Sequence, residues 1–265
     1  MSLRNDLLKN PHFEFENNIF FEKGISRANA FEESYVKLRE KENRLLPDEA
    51  VRELPTTDDG SKKSEWRMRK SSLEILTQHL RKHQPKTILE LGCGNGWLAS
   101  NLARNVNAEV CAVDINQTEL LQGARVFSHQ QNLCFVYSNI FNAALAPQKF
   151  DAVILGSSMQ YFTDLKSLFM TLFALTDTIY IVDSPFYFSR DDAEGARKRS
   201  IAHFDSLGFP EMTQQYHHHT FQELEDFTYR MVYNPKSLTS LVRRRILKVP
   251  LPVFPIIAIQ KDVTW

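Results

Sequence analysis

The stretch Thr87-Ile88-Leu89-Glu90-Leu91-Gly92-Cys93-Gly94-Asn95-Gly96-Trp97-Leu98-Ala99 decides the fold. Ile88, Leu89 and Leu91 form a short apolar run that carries one carboxylate, Glu90. Three glycines spaced by single residues follow, and a second apolar segment begins at once with Trp97 and continues to Leu102. That order predicts strand, glycine turn, helix, the unit with which an open α/β sheet takes a nucleotide-like ligand at the carboxyl ends of its strands. The glycines permit backbone angles that a Cβ forbids and let a ligand lie against the main chain.

A dinucleotide loop reads G-x-G-x-x-G and keeps negative charge away from its pyrophosphate. Here the third glycine, Gly96, comes one residue early, Trp97 holds the expected place, and Glu90 sits two residues before the first glycine. A ligand with a cationic or amino-acid end suits such a loop better than a polyphosphate. The pattern Glu90-x-Gly92-x-Gly94-x-Gly96 resembles the first motif of the class I S-adenosylmethionine-dependent methyltransferases. The resemblance implies a Rossmann-like α/β fold, a doubly wound seven-stranded sheet with an antiparallel last strand. It also implies S-adenosyl-L-methionine as cofactor, S-adenosyl-L-homocysteine as product, and a loop of Gly92, Cys93, Gly94, Asn95, Gly96 and Trp97 around the methionine part.

Outward from the loop, apolar runs alternate with helical patterns. Strands are predicted at Val110–Val113, Leu133–Tyr137, Phe150–Leu155 and Ile179–Val182, with helices at Asn116–Val126 and Leu165–Leu175, which implies parallel βαβ units. Beyond Asp183 the pattern loosens into a helix at Asp191–Leu207, a capping box from Thr220 to Glu223, and late strands at Phe227–Tyr233 and Phe254–Gln260. Before the sheet, Phe31, Tyr35, Leu38, Leu45 and Leu46 recur at helical spacing. A polar stretch from Thr56 to Ser64 reads as a linker. Residues 1–65 are accordingly expected to form a helical N-terminal extension or lid, and residues 66–265 the sheet domain.

Asp114 ends the second predicted strand, 20 residues after Gly94, where a carboxylate can accept from both ribose hydroxyls of an adenosine. That serves nicotinamide and methyl-donor cofactors alike, and Asn116 is expected to cap the following helix in its stead. The resemblance assigns Ile115 beside it, the turn Asn139-Ile140 to the adenine, and Gly156 to the sulfonium region; an acidic residue is common in relatives where Asn139 stands. It also assigns an arginine before the first strand to the cofactor's carboxylate, Arg69 first and Arg67 next. Asp151 is read as structural.

Methyl transfer asks for alignment and dry surroundings more than for a signature, with a base only where the nucleophile is protonated. Tyr161 and His217 are the catalytic candidates, with Asp183, Tyr187 and the neighbours of His217 in Tyr216-His217-His218-His219 on the acceptor side. Adjacent histidines diverge, so this triplet is no metal site. Phe186, Tyr187 and Phe188 stand together just past the fifth strand as candidate walls of an acceptor pocket. The Asn/Asp-Pro-Pro-Tyr/Phe tetrapeptide of amide and exocyclic-nitrogen methylation is missing after the fourth strand, where Gly156-Ser157-Ser158-Met159 stands.

Lysine plus arginine equals aspartate plus glutamate, 32 each, so no global field recruits nucleic acid or an anionic membrane. Arg243-Arg244-Arg245 with Lys248 reads as a solvated face. Cys93, Cys111 and Cys134 have no metal spacing and read as buried hydrophobes in a reducing, cytoplasmic setting. No apolar signal core or 18-residue apolar run is seen. The expected function is methyl transfer to a small molecule, with no nucleic acid and no membrane. An NAD-dependent oxidoreductase, and a methyltransferase-like domain that binds the cofactor without catalysis, stay open.

Overall fold

Apolar segments between Thr87 and Val182 fold as parallel βαβ units, and further strands extend the sheet at both edges. The computed structural model describes residues 2–27, 30–57, 59–246, 248 and 250–261; Asp58, within the predicted linker, lies outside them. In chain order the elements are α1 (Leu3–Lys9), β1 (Phe13–Glu16), β2 (Ile19–Glu22), α2 (Ala30–Lys41), α3 (Asp48–Glu53), α4 (Lys63–His83), β3 (Thr87–Leu91), α5 (Trp97–Asn105) and β4 (Glu109–Asp114). Then follow α6 (Gln117–Val126), β5 (Leu133–Tyr137), β6 (Ala152–Gly156), α7 (Leu165–Phe173), β7 (Thr178–Val182), α8 (Arg190–Leu207), β8 (Thr228–Tyr233), α9 (Leu238–Arg245) and β9 (Ile256–Gln260).

The strand order is β1-β2-β5-β4-β3-β6-β7-β9-β8. β3 lies between β4 and β6, parallel to both, with Leu89 opposite Cys111 on one side and Val153 on the other. The chain therefore winds from β3 toward β5 first and later returns to β6 on the opposite side. That reversal opens a crevice at the carboxyl ends of β3 and β6. β9 runs antiparallel between β7 and β8, the orientation that the family resemblance implies. Ile88, Leu89, Val110, Cys111, Val153 and Ile154 are all fully buried, as expected for a central sheet covered by helices on both faces.

Two differences from expectation lie at the N-terminus. The sheet has nine strands rather than seven, and the first 65 residues are not wholly helical. Phe13–Glu16 and Ile19–Glu22 form a hairpin closed by Asn17 and Asn18, both at positive φ (50° and 62°), the backbone of a two-residue hairpin turn. β2 then pairs in parallel with β5, Ile19 opposite Phe135, and buries Ile19, Phe20 and Phe21 completely. Burial of three large apolar side chains, each contributing about 1.5–3 kcal/mol, fixes the hairpin to the sheet. The helix before β3 begins at Lys63, so the expected boundary at residue 65 falls within its first turn.

Elsewhere the sequence signals act as read. Asn116 caps α6 by accepting from the Glu119 N–H. Asp151 accepts from the Lys86 and Thr87 N–H groups at 2.6 and 3.0 Å and ties the start of β6 to β3, far from the crevice. Glu223 accepts from the Thr220 N–H at 2.7 Å, although the turn it caps is 3-10 rather than α.

Candidate functional site

The crevice is a cleft of about 920 Å³, floored by the glycine loop and roofed by α2, α8 and the segment around Tyr216. Gly92, Gly94 and Gly96 all have positive φ. A Cβ on Gly92 would lie 2.3 Å from the Ser158 Cβ, and one on Gly96 would lie 2.5 Å from the Phe135 ring. Only glycine lets the loop nest between β5 and the turn after β6. Of the predicted loop residues, Gly92, Cys93, Gly94, Asn95 and Trp97 line the cleft, whereas Gly96 lies beneath it as the first cap of α5.

Glu90 is also beneath the loop and buried. One carboxylate oxygen has no partner, while the Ala99 N–H is the one hydrogen bond that favours its charge. Burial, then the nearby Asp114, raises its pKa well above the carboxylate range. Glu90 thus stands under the loop and outside the cleft lining, where burial favours its neutral form.

Asp114 lines the cleft with its acceptors partly committed. Oδ2 accepts from the Gly94 N–H at 2.7 Å, and Oδ1 accepts from Ile115 and Asn116 at 2.7 and 2.8 Å. Burial raises its pKa against these three bonds. Beside it stands an acid that sequence reasoning missed, Glu119 on α6. Its carboxylate comes within 3.3 Å of where a Gly94 Cβ would be, and it accepts from the Asn116 side chain at 2.9 Å through Oε2 alone. Burial and the Asp114 charge raise its pKa to about 7. The signal was present, since Glu119 sits at the third position of the helix that Asn116 caps, where its side chain turns back toward the strand end.

Asn139 and Ile140 both line the cleft next to Ser138. The Asn139 Oδ1 accepts from the Phe141 N–H at 3.1 Å. Behind it lies a second missed acid. Glu22, from the hairpin, accepts from the Ser138 hydroxyl at 2.7 Å, from the Asn139 N–H at 3.1 Å and from Asn142 at 2.9 Å. A carboxylate does serve this turn, then, but it comes from 117 residues away.

Gly156 ends β6 in the cleft, close to Leu98 and Glu90. Arg69 lines the cleft, donates to the Ser157 hydroxyl at 3.0 Å and pairs with Glu65, which also holds Arg44. Arg67 is exposed on the other side of α4. Asp183, at the end of β7 with a φ of +51°, is held by the Ser72 hydroxyl. Burial raises its pKa and Arg69 opposes that.

The roof is aromatic. Tyr161 lies edge-on to Phe31, Tyr35 and Tyr216 with ring centroids 5.7 to 5.9 Å apart, and its hydroxyl accepts from Arg39 at 2.8 Å. Trp66 and Trp97 pack edge to face at 5.2 Å on the other flank. α2 crosses this space and is pinned on both sides. Glu32 accepts from the Thr118 N–H at the start of α6, and Glu42 joins Arg39, Arg44 and His203 of α8.

The histidine triplet diverges as adjacent residues must. His218 faces the cleft, its Nε2 3.0 Å from the Ser200 hydroxyl and its buried Nδ1 without a partner. Burial, then His219, lowers its pKa, which favours the neutral ring. His217 does not line the cleft. It contacts Thr163 at 2.9 Å and borders a smaller neighbouring cavity of about 610 Å³, so of the two catalytic candidates only Tyr161 reaches the main cleft. His219 is buried against Glu223. Of Phe186, Tyr187 and Phe188, only Tyr187 lines the cleft; Phe186 is in the core and Phe188 is on the surface. Cys93, Cys111 and Cys134 are free and buried, with pKa values raised first by burial. No cluster of potential metal ligands is found among the described residues.

Residues 88–177 match the model of a family described as a methyltransferase domain. An uncharacterized methyltransferase of Mycobacterium tuberculosis is 31% identical over 80 residues, and one of Mycobacterium bovis is equally similar. The matched segment is 30% of this chain and 40% of the relative, so the chain spans well under half the length of the curated proteins it matches. Among solved structures, the plantazolicin methyltransferase BpumL in complex with S-adenosylhomocysteine superposes with a TM-score of 0.51 at 18% identity, covering 87% of this chain and all of that one. The YcgJ protein of Bacillus subtilis gives 0.51 at 12%, covering 71% and 95%. These structural likenesses carry the fold. The family match runs from β3 to the residue before β7, the half of the sheet that carries the glycine loop.

Proposed function

We propose that this chain binds S-adenosylmethionine in the cleft and transfers its methyl group to a small-molecule acceptor held under α2. The observation that carries the reading is the acid-lined loop end at Asp114 and Glu119, set in the cleft beside the glycine loop. A ligand with a vicinal diol answers that pair of acids, and a pyrophosphate does not. Most of the cofactor set inferred from the sequence lines this one cleft, Cys93, Asn95, Ile115, Asn139, Ile140, Gly156 and Arg69 among them, while Glu90 and Gly96 lie beneath it. BpumL, the fold relative, is itself described with bound S-adenosylhomocysteine.

When bound, the cofactor supplies a methyl group on a sulfonium, whose sulfur leaves as a neutral thioether. What the chain must add is alignment and exclusion of water. α2, pinned through Arg39, Glu42 and Glu32, closes the cleft and supplies Phe31 and Tyr35 to an aromatic wall. On this reading the N-terminal segment serves as lid and acceptor wall. Where the acceptor carries a proton, His218 is the base that this reading assigns: it lines the cleft, and burial favours its neutral form. Tyr161, held by Arg39, positions the acceptor. The aromatic wall of the cleft, and a chain with equal numbers of acidic and basic residues, support a small acceptor over a polynucleotide.

Calorimetry with S-adenosylhomocysteine tests the reading directly. The wild type is expected to bind it, and Asp114→Ala is expected to lose about tenfold or more in affinity, the worth of a charge-assisted hydrogen bond. NADH binding in place of S-adenosylhomocysteine would overturn the proposal in favour of an oxidoreductase. Binding without methyl transfer from labelled cofactor to any acceptor in a metabolite panel would favour a domain that binds without catalysis.

A further inference from the structure

The most unusual surface lies away from the reacting centre, on α9. From Phe227 to Lys261 the chain has no acidic residue and seven cations: Arg230, Lys236, Arg243, Arg244, Arg245, Lys248 and Lys261. In a chain whose charges balance overall, this is a concentrated local field. None of the seven makes an ion pair among the described residues.

The helix at the centre of this segment is also inside out. Ser240 is its buried residue, bonded to Ser237 and to the Asn234 carbonyl. Leu238, Leu241, Val242 and Ile246 are 83, 40, 49 and 71% exposed. At about 100° per residue these four share one arc of roughly 140°, with Arg245 within it and Arg243 and Arg244 each about 60° beyond one of its edges. Val253 continues the apolar surface at 47% exposure, next to Pro252, whose carbonyl accepts from Arg244 at 2.8 Å. β8 runs parallel to the central strands, so α9 leaves from the same sheet edge as the glycine loop. Phe254, one residue beyond Val253, lines the cleft.

We propose that α9 and the Val253 turn form a membrane-docking surface, which seats the cleft mouth on an anionic lipid bilayer. A helix lying in the interface needs an exposed apolar stripe and flanking basic residues, both of which are present here. Charge decides among occupants. A second copy related by a two-fold axis would set Arg243 and Arg245 close to their own equivalents with no acid to offset them. A nucleic acid would satisfy the arginines but leave Leu238 and Ile246 facing phosphates. Anionic headgroups above acyl chains satisfy both sets of side chains. No helix of the described residues is long and apolar enough to cross a bilayer, so the contact is peripheral.

Vesicle co-sedimentation tests this independently of the methyltransferase reading. The full-length protein is expected to pellet with phosphatidylcholine–phosphatidylglycerol vesicles, to stay in solution with phosphatidylcholine alone, and to be released by salt. Leu238→Ser/Ile246→Ser and Arg243→Glu/Arg245→Glu are each expected to weaken partitioning by about tenfold or more. Both pairs are exposed and away from the cofactor loop, so unchanged S-adenosylhomocysteine binding and unchanged circular dichroism establish that the variants are folded. The proposal is overturned if the wild type ignores anionic vesicles, or if both variants partition as the wild type does. It is likewise overturned if the wild type binds single-stranded RNA but not vesicles, or if light scattering shows a dimer that Leu238→Ser/Ile246→Ser dissociates.

Discussion

Glu119→Gln is expected to stabilise the protein at high pH and leave its stability nearly unchanged at low pH. The carboxyl group leaves an ordinary environment in the unfolded chain, near 4.5, for one in the fold where burial and Asp114 raise its pKa to about 7. The folded protein therefore binds this proton more tightly than the unfolded one. Below the unfolded value both states are protonated and no penalty arises. As pH rises from about 4.5 to about 7 the folded state resists ionisation, and stability falls across that window to a plateau. A shift of that size corresponds to about 3 kcal/mol at most. Glu119 borders the cleft, where water screens its charge, so a difference of about 1–2 kcal/mol is the expected measurement. Glutamine keeps an acceptor for the Asn116 side chain and removes only the charge. Urea unfolding of both proteins at about pH 5 and about pH 8 reads the effect. Equal differences at the two pH values would refute the assignment of a buried, raised carboxyl group. So would a variant less stable than the wild type at the higher pH. The same variant should weaken S-adenosylhomocysteine binding if Glu119 shares the nucleoside end with Asp114.

Gly96→Ala meets a φ of +72° and a Cβ 2.5 Å from the Phe135 ring. It should cost roughly 2–4 kcal/mol by urea unfolding, and a loss under about 1 kcal/mol would show that the loop relaxes freely. Phe20→Ala removes a fully buried side chain from the hairpin strand and should cost about 3–5 kcal/mol in the same global transition. A separate, earlier transition would mean that the hairpin is not part of the sheet's cooperative unit. All three cysteines are buried with thiol pKa values pushed up. Ellman's reagent at about pH 8 should therefore find none in the native protein and all of them in urea. Rapid reaction of Cys93 in the native protein would show that the loop opens.

The central sheet was legible because its signals are local. Ile88 to Leu91, Val110 to Val113 and Ile179 to Val182 are apolar runs bounded by turns, and each becomes a strand within a residue or two of its predicted ends. The hairpin was equally legible and was missed. Phe13-Glu14-Phe15-Glu16 alternates with period two, and Asn17-Asn18 is a two-residue turn, although four residues a strand make a short signal beside the helical patterns that flank it. Its pairing with β5 was not legible, since nothing local tells a hairpin which edge it will cover.

The site divides in the same way, and the reason is physical. The glycine loop, Asp114 and Asn116 act on neighbours within the chain, so their spacing announces them. Glu22, Tyr35, Arg39 and His218 act across the fold: Glu22 on Asn139, Arg39 on Tyr161, Tyr35 against Tyr161 and His218 against Ser200. Spacing has no record of those meetings. In the triplet His217-His218-His219 the sequence supplies three equal candidates, and only the direction of the folded backbone gives His218 to the cleft, His217 to Thr163 and the smaller cavity, and His219 to the core. The cofactor end of such a cleft is thus written in contiguous residues, because a loop must fold around it. The acceptor end is assembled from α2, α8 and the Tyr216 segment, so its chemistry follows from what those elements bring together and from how firmly Arg39, Glu42 and Glu32 hold them.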